Sequence, residues 1–184
     1  MPITPEEART VLEQADCLYD AKQVDAAFER LAADISARLA DSDPLVLCIM
    51  QGGLIPGGML LPRLDFPLQM DYIHATRYGG GTSGGELRWI VRPSSPLKDR
   101  VILLVDDIHD EGLTLDAIIR DCQAAGAVRV YSAVLVNKIH DRTHGLRADF
   151  TGLDVVDRYV FGYGMDYKGY LRNAPGIYAV REDA

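Results

Sequence analysis

The chain has 184 residues, 48% apolar and 25% charged, an ordinary balance for a soluble globular protein and long enough for one domain with a sizeable core. A formal net charge of −8 argues against partners such as nucleic acid or an anionic membrane surface, so an anionic ligand would need dedicated N–H groups, a few cations or a metal. No basic segment followed by an apolar run opens the chain and no stretch approaches ~18 uninterrupted apolar residues, so the expectation is a soluble, unexported protein.

Thr4-Pro5-Glu6-Glu7 is a capping box with proline at the first helical position, and Ala8, Val11, Leu12 and Ala15 give the helix one apolar face. A second helix is predicted from about Ala21 to Leu39, with Val24, Phe28, Leu31, Ala32, Ile35 and Leu39 in a stripe that packs on a sheet. Cys17, Cys48 and Cys122 are odd in number and far apart; they match neither a disulfide framework nor a zinc spacing and read as reduced, buried thiols of a cytoplasmic protein.

After the break at Asp41 to Pro44, Leu45 to Met50 is a continuous apolar run, as expected of a central parallel strand. It stops at Gln51-Gly52-Gly53, and a glycine turn to Gly58 leads towards Met59-Leu60-Leu61. Glycines just past a strand end let backbone amides approach an anion. Leu68, Met70 and Tyr72 alternate with Gln69 and Asp71, and a second alternation follows at Leu87, Trp89 and Val91. Between them, Arg77 to Gly85 is a glycine-rich segment that composition alone reads as a hairpin linker.

The organising stretch is Val101 to Leu115. Val101 to Val105 reads as a strand buried on both faces, ending at Asp106-Asp107, where open α/β sheets bind ligands. Adjacent carboxylates are costly unless a cation or a polyhydroxyl ligand shares them, which makes a metal site the first hypothesis. Asp110-Glu111-Gly112-Leu113-Thr114 then opens a helix predicted to reach Gly126, a C-cap. A glycine loop leading into a helix offers unpaired N–H groups to a phosphate; the bland alternative is an acidic N-cap that only stabilises the helix start. Ala127 to Val136 is the next strand, with Asn137-Lys138 at its end. Ile139 to Ala148 reads as a polar loop, and Phe150 to Phe161 precedes Gly162-Tyr163-Gly164-Met165-Asp166-Tyr167-Lys168-Gly169-Tyr170-Leu171-Arg172.

Apolar strand, Asp-Asp, two residues, Asp, then x-Gly-x-Thr resembles the phosphoribosyl-pyrophosphate motif of type I phosphoribosyltransferases. Tyr159-Val160 followed by Gly-Tyr-x-Met-Asp-Tyr-x-x-Tyr-x-Arg resembles the purine-binding tail of their hypoxanthine-guanine branch. Together the two cover most of residues 45 to 180. The resemblance implies an α/β fold: a type I phosphoribosyltransferase-like parallel sheet flanked by helices, in a single domain over 1–184, with a core of about 40–150 and a small hood from 1–20 and 151–184. It implies transfer of phosphoribose from 5-phosphoribosyl pyrophosphate to a 6-oxopurine with Mg2+, in a homo-oligomer, dimer or tetramer.

Carried over residue by residue, Asp106 and Asp107 hold the ribose hydroxyls or their metal and Asp166 a second metal. Asp110 is the general base, and Asp110, Glu111, Gly112, Leu113 and Thr114 cradle the 5′-phosphate. Gln51, Gly52 and Arg172 face pyrophosphate, with Gln51 replacing the family's usual lysine in a loop that often has a cis peptide. Lys138 meets the 6-oxo group, while Tyr159, Val160, Met165 and Asp166 surround the base. Tyr78, Gly79, Thr82 and Ser83 match a mobile catalytic loop, with Arg77 in place of its usual serine.

Three other classes fit these motifs less well. A P-loop NTPase needs a Gly-x-x-x-x-Gly-Lys-[Ser/Thr] that this chain lacks, and a receiver-like phosphoacceptor would not place Asp-x-Gly-x-Thr after the acidic pair. A non-catalytic phosphoribosyltransferase-fold regulator acting on nucleic acid is disfavoured by the acidic charge and by the presence of Asp110. A xanthine preference stays open.

Overall fold

The computed structural model describes residues 3–77, 87–142 and 147–181. Tyr78, Gly79, Thr82 and Ser83 lie outside the described residues. The elements run α1 (Pro5–Gln14), β1 (Asp16–Asp20), α2 (Ala21–Leu39), β2 (Leu45–Met50), α3 (Leu54–Leu60), a 3-10 turn, β3 (Gln69–Arg77), β4 (Leu87–Val91), β5 (Val101–His109), α4 (Leu113–Ala124), β6 (Arg129–Ile139), β7 (Phe150–Val156), β8 (Val160–Phe161) and β9 (Gly176–Ala179).

Local chemistry sets both N-terminal helices. Thr4 and Glu7 exchange the two hydrogen bonds of a capping box at α1. Asp20 and Gln23 do the same at α2, a second box that immediately follows β1. That short strand was not anticipated: at five residues between two helices it has no hydrophobic alternation of its own, and it forms by pairing antiparallel with β9.

Six strands form the main sheet in the order β4-β3-β2-β5-β6-β7, and β1-β9-β8 form a second, three-stranded sheet from the two ends of the chain. The central pairs β2·β3, β2·β5, β5·β6 and β6·β7 are parallel, whereas β4 returns antiparallel against β3 at the edge. On one face α2 lays Val24, Phe28, Leu31, Ile35 and Leu39 over Val46, Leu103, Val105 and Leu135. On the other α4 covers Leu47, Ile49, Ile102, Leu104 and Val134 with Leu115, Ile118, Ile119 and Cys122. Strands covered on both faces need no alternation, which is why β2 and β5 read as continuous apolar runs. Among the described residues no helix is long and apolar enough to cross a membrane.

Several boundaries differ from expectation. β5 does not stop at the acidic pair but continues to His109, because Ile108 and His109 still find register partners in Val136 and Asn137 of β6. β6 begins at Arg129 and continues to Ile139, beyond the predicted Val136. α3 begins at Leu54 rather than beyond the glycines: Gly57 lies inside it, and a Cβ there would stand 2.5 Å from Cys48 Sγ, so the glycine permits close packing of helix on strand. In β3 the polarity of the alternation is reversed. Met70 and Tyr72 are exposed while Asp71 and Ile73 are buried, since β3 borders only the short strand β4 on its outer side and Asp71 finds donors there in Ser94, Ser95 and Tyr72. Cys17, expected to be buried, is exposed on β1; Cys48 and Cys122 are buried, and desolvation raises both thiols to about 11.

Asp71 explains how a carboxylate can replace an apolar residue on the inner face. It accepts from Ser94 N and Oγ, Ser95 N and Tyr72 N at 2.7–2.9 Å, tying the 94–95 turn to β3. Burial pushes this carboxyl up, but the hydrogen bonds outweigh it and hold it at about 2. Because the folded value lies below the ordinary 3.8, the stabilisation is present above that value and lost as pH falls through about 2. Asp71→Asn should lower unfolding free energy at neutral pH by about 1–3 kcal/mol in urea titrations, since an amide cannot accept all of these donors. The gap to wild type should narrow as the titrations are repeated towards pH 2; a gap independent of pH would show that the charge is irrelevant.

Candidate active site

Three chain segments converge at the C-terminal ends of β2 and β5, under the small sheet. From β5 come Asp106 and Asp107. Desolvation, then the neighbouring like charge, pushes Asp106 well above the carboxylate range, and desolvation raises Asp107 as well. The backbone eases this crowding: Asp107 N donates to Asp106 Oδ1 at 2.9 Å and Ile108 N to Asp107 Oδ1 at 2.7 Å. From the β2–α3 turn comes Gly52, preceded by a cis Met50–Gln51 peptide, as the resemblance implied for this loop. From the β8–β9 connection come Asp166 and Arg172. The Arg172 guanidinium lies 2.7 Å from Asp166 Oδ1 and 3.9 Å from Asp107 Oδ2, and donates to the Gly164 carbonyl.

Past the end of β5, Gly112 takes φ +81° as the N-cap of α4, which turns the 110–114 loop into the helix start. Glu111 is exposed. Asp110 stands at the rim with two donors: Lys138 Nζ reaches Oδ2 at 2.7 Å and His140 Nε2 lies 2.5 Å from Oδ1. Burial alone would raise the Asp110 carboxyl, but the hydrogen bonds and charges of Lys138 and His140 reverse this and lower it.

Two cavities share a wall here. One of about 480 Å³ is lined by Gly52, Asp106, Asp107, the whole Asp110 to Thr114 loop, Asp166 and Arg172. The other, about 300 Å³, is lined by Lys138, Tyr159, Val160 and Met165. Asp107, Ile108, Asp110 and Asp166 line both. The residues expected to face the sugar and phosphates thus gather in one chamber and those expected to face a base in the next. Gln51 is exposed and lines neither. Sequence reasoning missed His140, whose signal was its position two residues beyond Lys138.

The donor set suits a hard divalent cation, because paired, desolvated carboxylates are the charge that such an ion would relieve. Among the described residues no three His, Cys, Asp or Glu side chains are grouped to hold a metal by themselves. An ion with one or two carboxylates and the remainder of its shell from ligand and water is what Mg2+ tolerates.

A family model for the phosphoribosyl transferase domain matches residues 14–168, and the chain belongs to that family. Over 161 residues it is 31% identical to the hypoxanthine-guanine phosphoribosyltransferase of Bacillus subtilis strain 168, covering 87% of this chain and 89% of that protein. Over 166 residues it is 30% identical to the hypoxanthine-guanine-xanthine phosphoribosyltransferase of Tritrichomonas foetus, covering 90% and 91%. A solved hypoxanthine phosphoribosyltransferase from Staphylococcus aureus has the same fold, with TM-score 0.88 at 24% identity over 94% of this chain and 95% of that one. A hypoxanthine-guanine-xanthine phosphoribosyltransferase structure gives TM-score 0.83 at 27% identity over 92% and 99%. These relatives put the chain in the hypoxanthine-guanine branch, and its main sheet with a terminal hood is the type I phosphoribosyltransferase fold.

Close backbone packing holds the chamber. Gly164 has φ +110°, and a Cβ there would meet Gly52 O at 2.2 Å, Pro56 Cδ at 3.0 Å and Asp107 Cβ at 3.2 Å. Gly164→Ala should therefore cost about 2 kcal/mol or more of unfolding free energy. Gly58→Ala, at a helical position with nothing within 4 Å of its Cβ, should be neutral or stabilising by up to about 1 kcal/mol. Equal effects of the two in urea titrations would refute the packing argument.

Proposed function

We propose that this chain is a purine salvage enzyme that transfers phosphoribose from 5-phosphoribosyl pyrophosphate to hypoxanthine or guanine, yielding IMP or GMP and pyrophosphate. What carries the reading is the wall between the two cavities, where Asp110 faces both the sugar-phosphate chamber and the base chamber. The reaction joins a base nitrogen to the anomeric carbon, so the group that takes the purine proton must stand between the two ligands. Asp110 is that general base; the donors that lower its pKa keep it in the ionised form that a base must have.

The 110–114 backbone cradles the 5′-phosphate, with Gly112 allowing close approach and Thr114 adding a hydroxyl. Asp106 and Asp107 would hold the ribose hydroxyls or their ion, Asp166 would hold a second ion, and Gly52 and Arg172 face pyrophosphate. Mg2+, when bound, would neutralise charge developing on the leaving pyrophosphate. Lys138 donates to the 6-oxo group, while Val160 and Met165 form apolar walls and the ring of Tyr159, exposed beside them, stacks on the base. In this reading a single domain, with its core at about 40–150 and a hood from 1–20 and 151–184, acts in the cytoplasm as a homo-oligomer. The buried free thiols of Cys48 and Cys122 favour that reducing compartment.

The test is nucleotide formation from hypoxanthine, guanine, xanthine and adenine with 5-phosphoribosyl pyrophosphate and Mg2+. Asp110→Asn should lower kcat by roughly 10²-fold or more and leave the affinity for 5-phosphoribosyl pyrophosphate nearly unchanged, because the cradle uses backbone amides. Parallel losses in both would assign Asp110 to binding.

Base choice rests on Lys138. An ammonium has three donors and no acceptor, so it satisfies an oxo group and opposes adenine's amino group. Adenine should be used at least roughly 10³-fold less efficiently than the oxopurines. Lys138→Met should remove most of that difference by depressing the oxopurine rate. Comparable adenine turnover by the wild type, or full discrimination by the Met variant, would leave Lys138 as no more than the counter-ion of Asp110.

A further inference from the structure

Lys138 and His140 stand two residues apart at the end of β6, the spacing that puts side chains on one side of an extended chain, and both reach Asp110. Ile139 between them is exposed, while the His140 side chain is only 4% exposed. The imidazole is fixed at both nitrogens. Nδ1 accepts the backbone N–H of Arg142 at 3.1 Å, and Nε2 lies 2.5 Å from Asp110 Oδ1. A nitrogen that accepts carries no proton, so the proton of the neutral ring stands on Nε2 and is donated to the carboxylate. Protonating the ring fully would set two donors face to face at Nδ1.

Asp110 lies on a loop, its side chain 42% exposed. Two donors on its two oxygens make a two-point clamp. One of them has other work: when Lys138 turns to an oxo group of the bound base, its hold on Oδ2 is shared or lost. We propose that His140 is a positioning residue for Asp110, its Nε2–H fixing the orientation of the carboxylate and staying with it while Lys138 engages the base. This rests on Asp110 being the general base. The arrangement separates two duties, recognition by the ammonium and orientation by the imidazole.

Among the described residues the charges facing this pair are Lys138 on β6, Glu111 on the Asp110 loop, Arg142 with its partner Asp157 at 2.8 Å, and Asp107 and Asp166 across the cavity. Against that mixed field a donated N–H favours the ionised carboxylate, so deleting it should raise the Asp110 pKa. The acid limb of the kcat profile should then move to higher pH.

The experiment compares wild type, His140→Leu, His140→Gln and Asp110→Asn. For His140→Leu, kcat should fall roughly 10-fold, a fraction of the roughly 10²–10⁴-fold a general base supplies, with KM for 5-phosphoribosyl pyrophosphate nearly unchanged and the acid limb moved upward. His140→Gln, whose amide can place an N–H near the Nε2 position, should recover most of the rate and the limb. A structural role alone would move neither limb nor rescue. Nitrogen-15 spectra of the wild type should show His140 as the Nε2–H tautomer, with its signal shifted in Asp110→Asn. A Leu variant with the wild-type rate and limb, or an Nδ1–H tautomer, would overturn the proposal while leaving Asp110 as the base. Should the Leu variant fail to fold, the Gln variant and the tautomer decide. A fully active Asp110→Asn would instead overturn the general-base reading, and this proposal with it.

Discussion

Two adjacent carboxylates, one buried and one partly so, at the end of the central strand set the terms for everything around them. Asp107 is 8% exposed, and both acids are raised by desolvation. Such a pair survives only where donors or a cation are within reach and no other side chain intrudes. Its neighbours follow from that. A Cβ on Gly52 would stand 2.2 Å from the Asp107 carboxylate, Gly164 packs against the Asp107 Cβ, and Arg172 brings the nearest guanidinium from the hood. β5 is flanked on both sides by parallel partners, so the position of the pair is fixed by the register of the sheet rather than by a loop.

The Lys138–Asp110 pair joins recognition to reaction. The ammonium helps keep the Asp110 carboxylate ionised and lowers its affinity for a proton. In the proposed reaction the oxo group of the right base competes for that ammonium, and a carboxylate that loses part of its counter-charge binds a proton more tightly. A base with no acceptor at that position would leave Asp110 in its quiet state. Specificity then acts on the chemical step as well as on binding.

The central strands, α2 and the phosphate loop were legible in the sequence because each is a local pattern: an unbroken apolar run, a helical stripe, a glycine before a helix. The reversed facing of β3 was not, because Asp71 is made acceptable inside by donors from residues 94 and 95, more than twenty positions away. β1 was not legible either, since its reason for existing is β9, at the other end of the chain. Lys138 and Asp110 were each picked out singly, but their contact depends on β5 and β6 being neighbours, which no local pattern states. His140 was passed over for the same reason: its place two residues beyond Lys138 acquires meaning only once Asp110 is brought beside it.

The division of the site between sheet and hood follows from what each ligand would need. Phosphates ask for backbone N–H groups and a positive helix end, which strand-to-helix turns of a parallel sheet supply without side chains. A planar base asks for apolar walls, which those turns lack, so Val160, Met165 and Tyr159 come from the hood. The two parts must then be held in register. Ile177 and Ala179 of β9 share the core of α2 with Phe28, Tyr19 Oη donates to the Asp154 carbonyl at 2.7 Å, and Arg158 pairs with Asp16 at 2.6 Å. Apolar packing at the back therefore fixes the separation of the two cavities at the front. Asp110, carried by the sheet and lining the chamber that the hood closes, belongs to both.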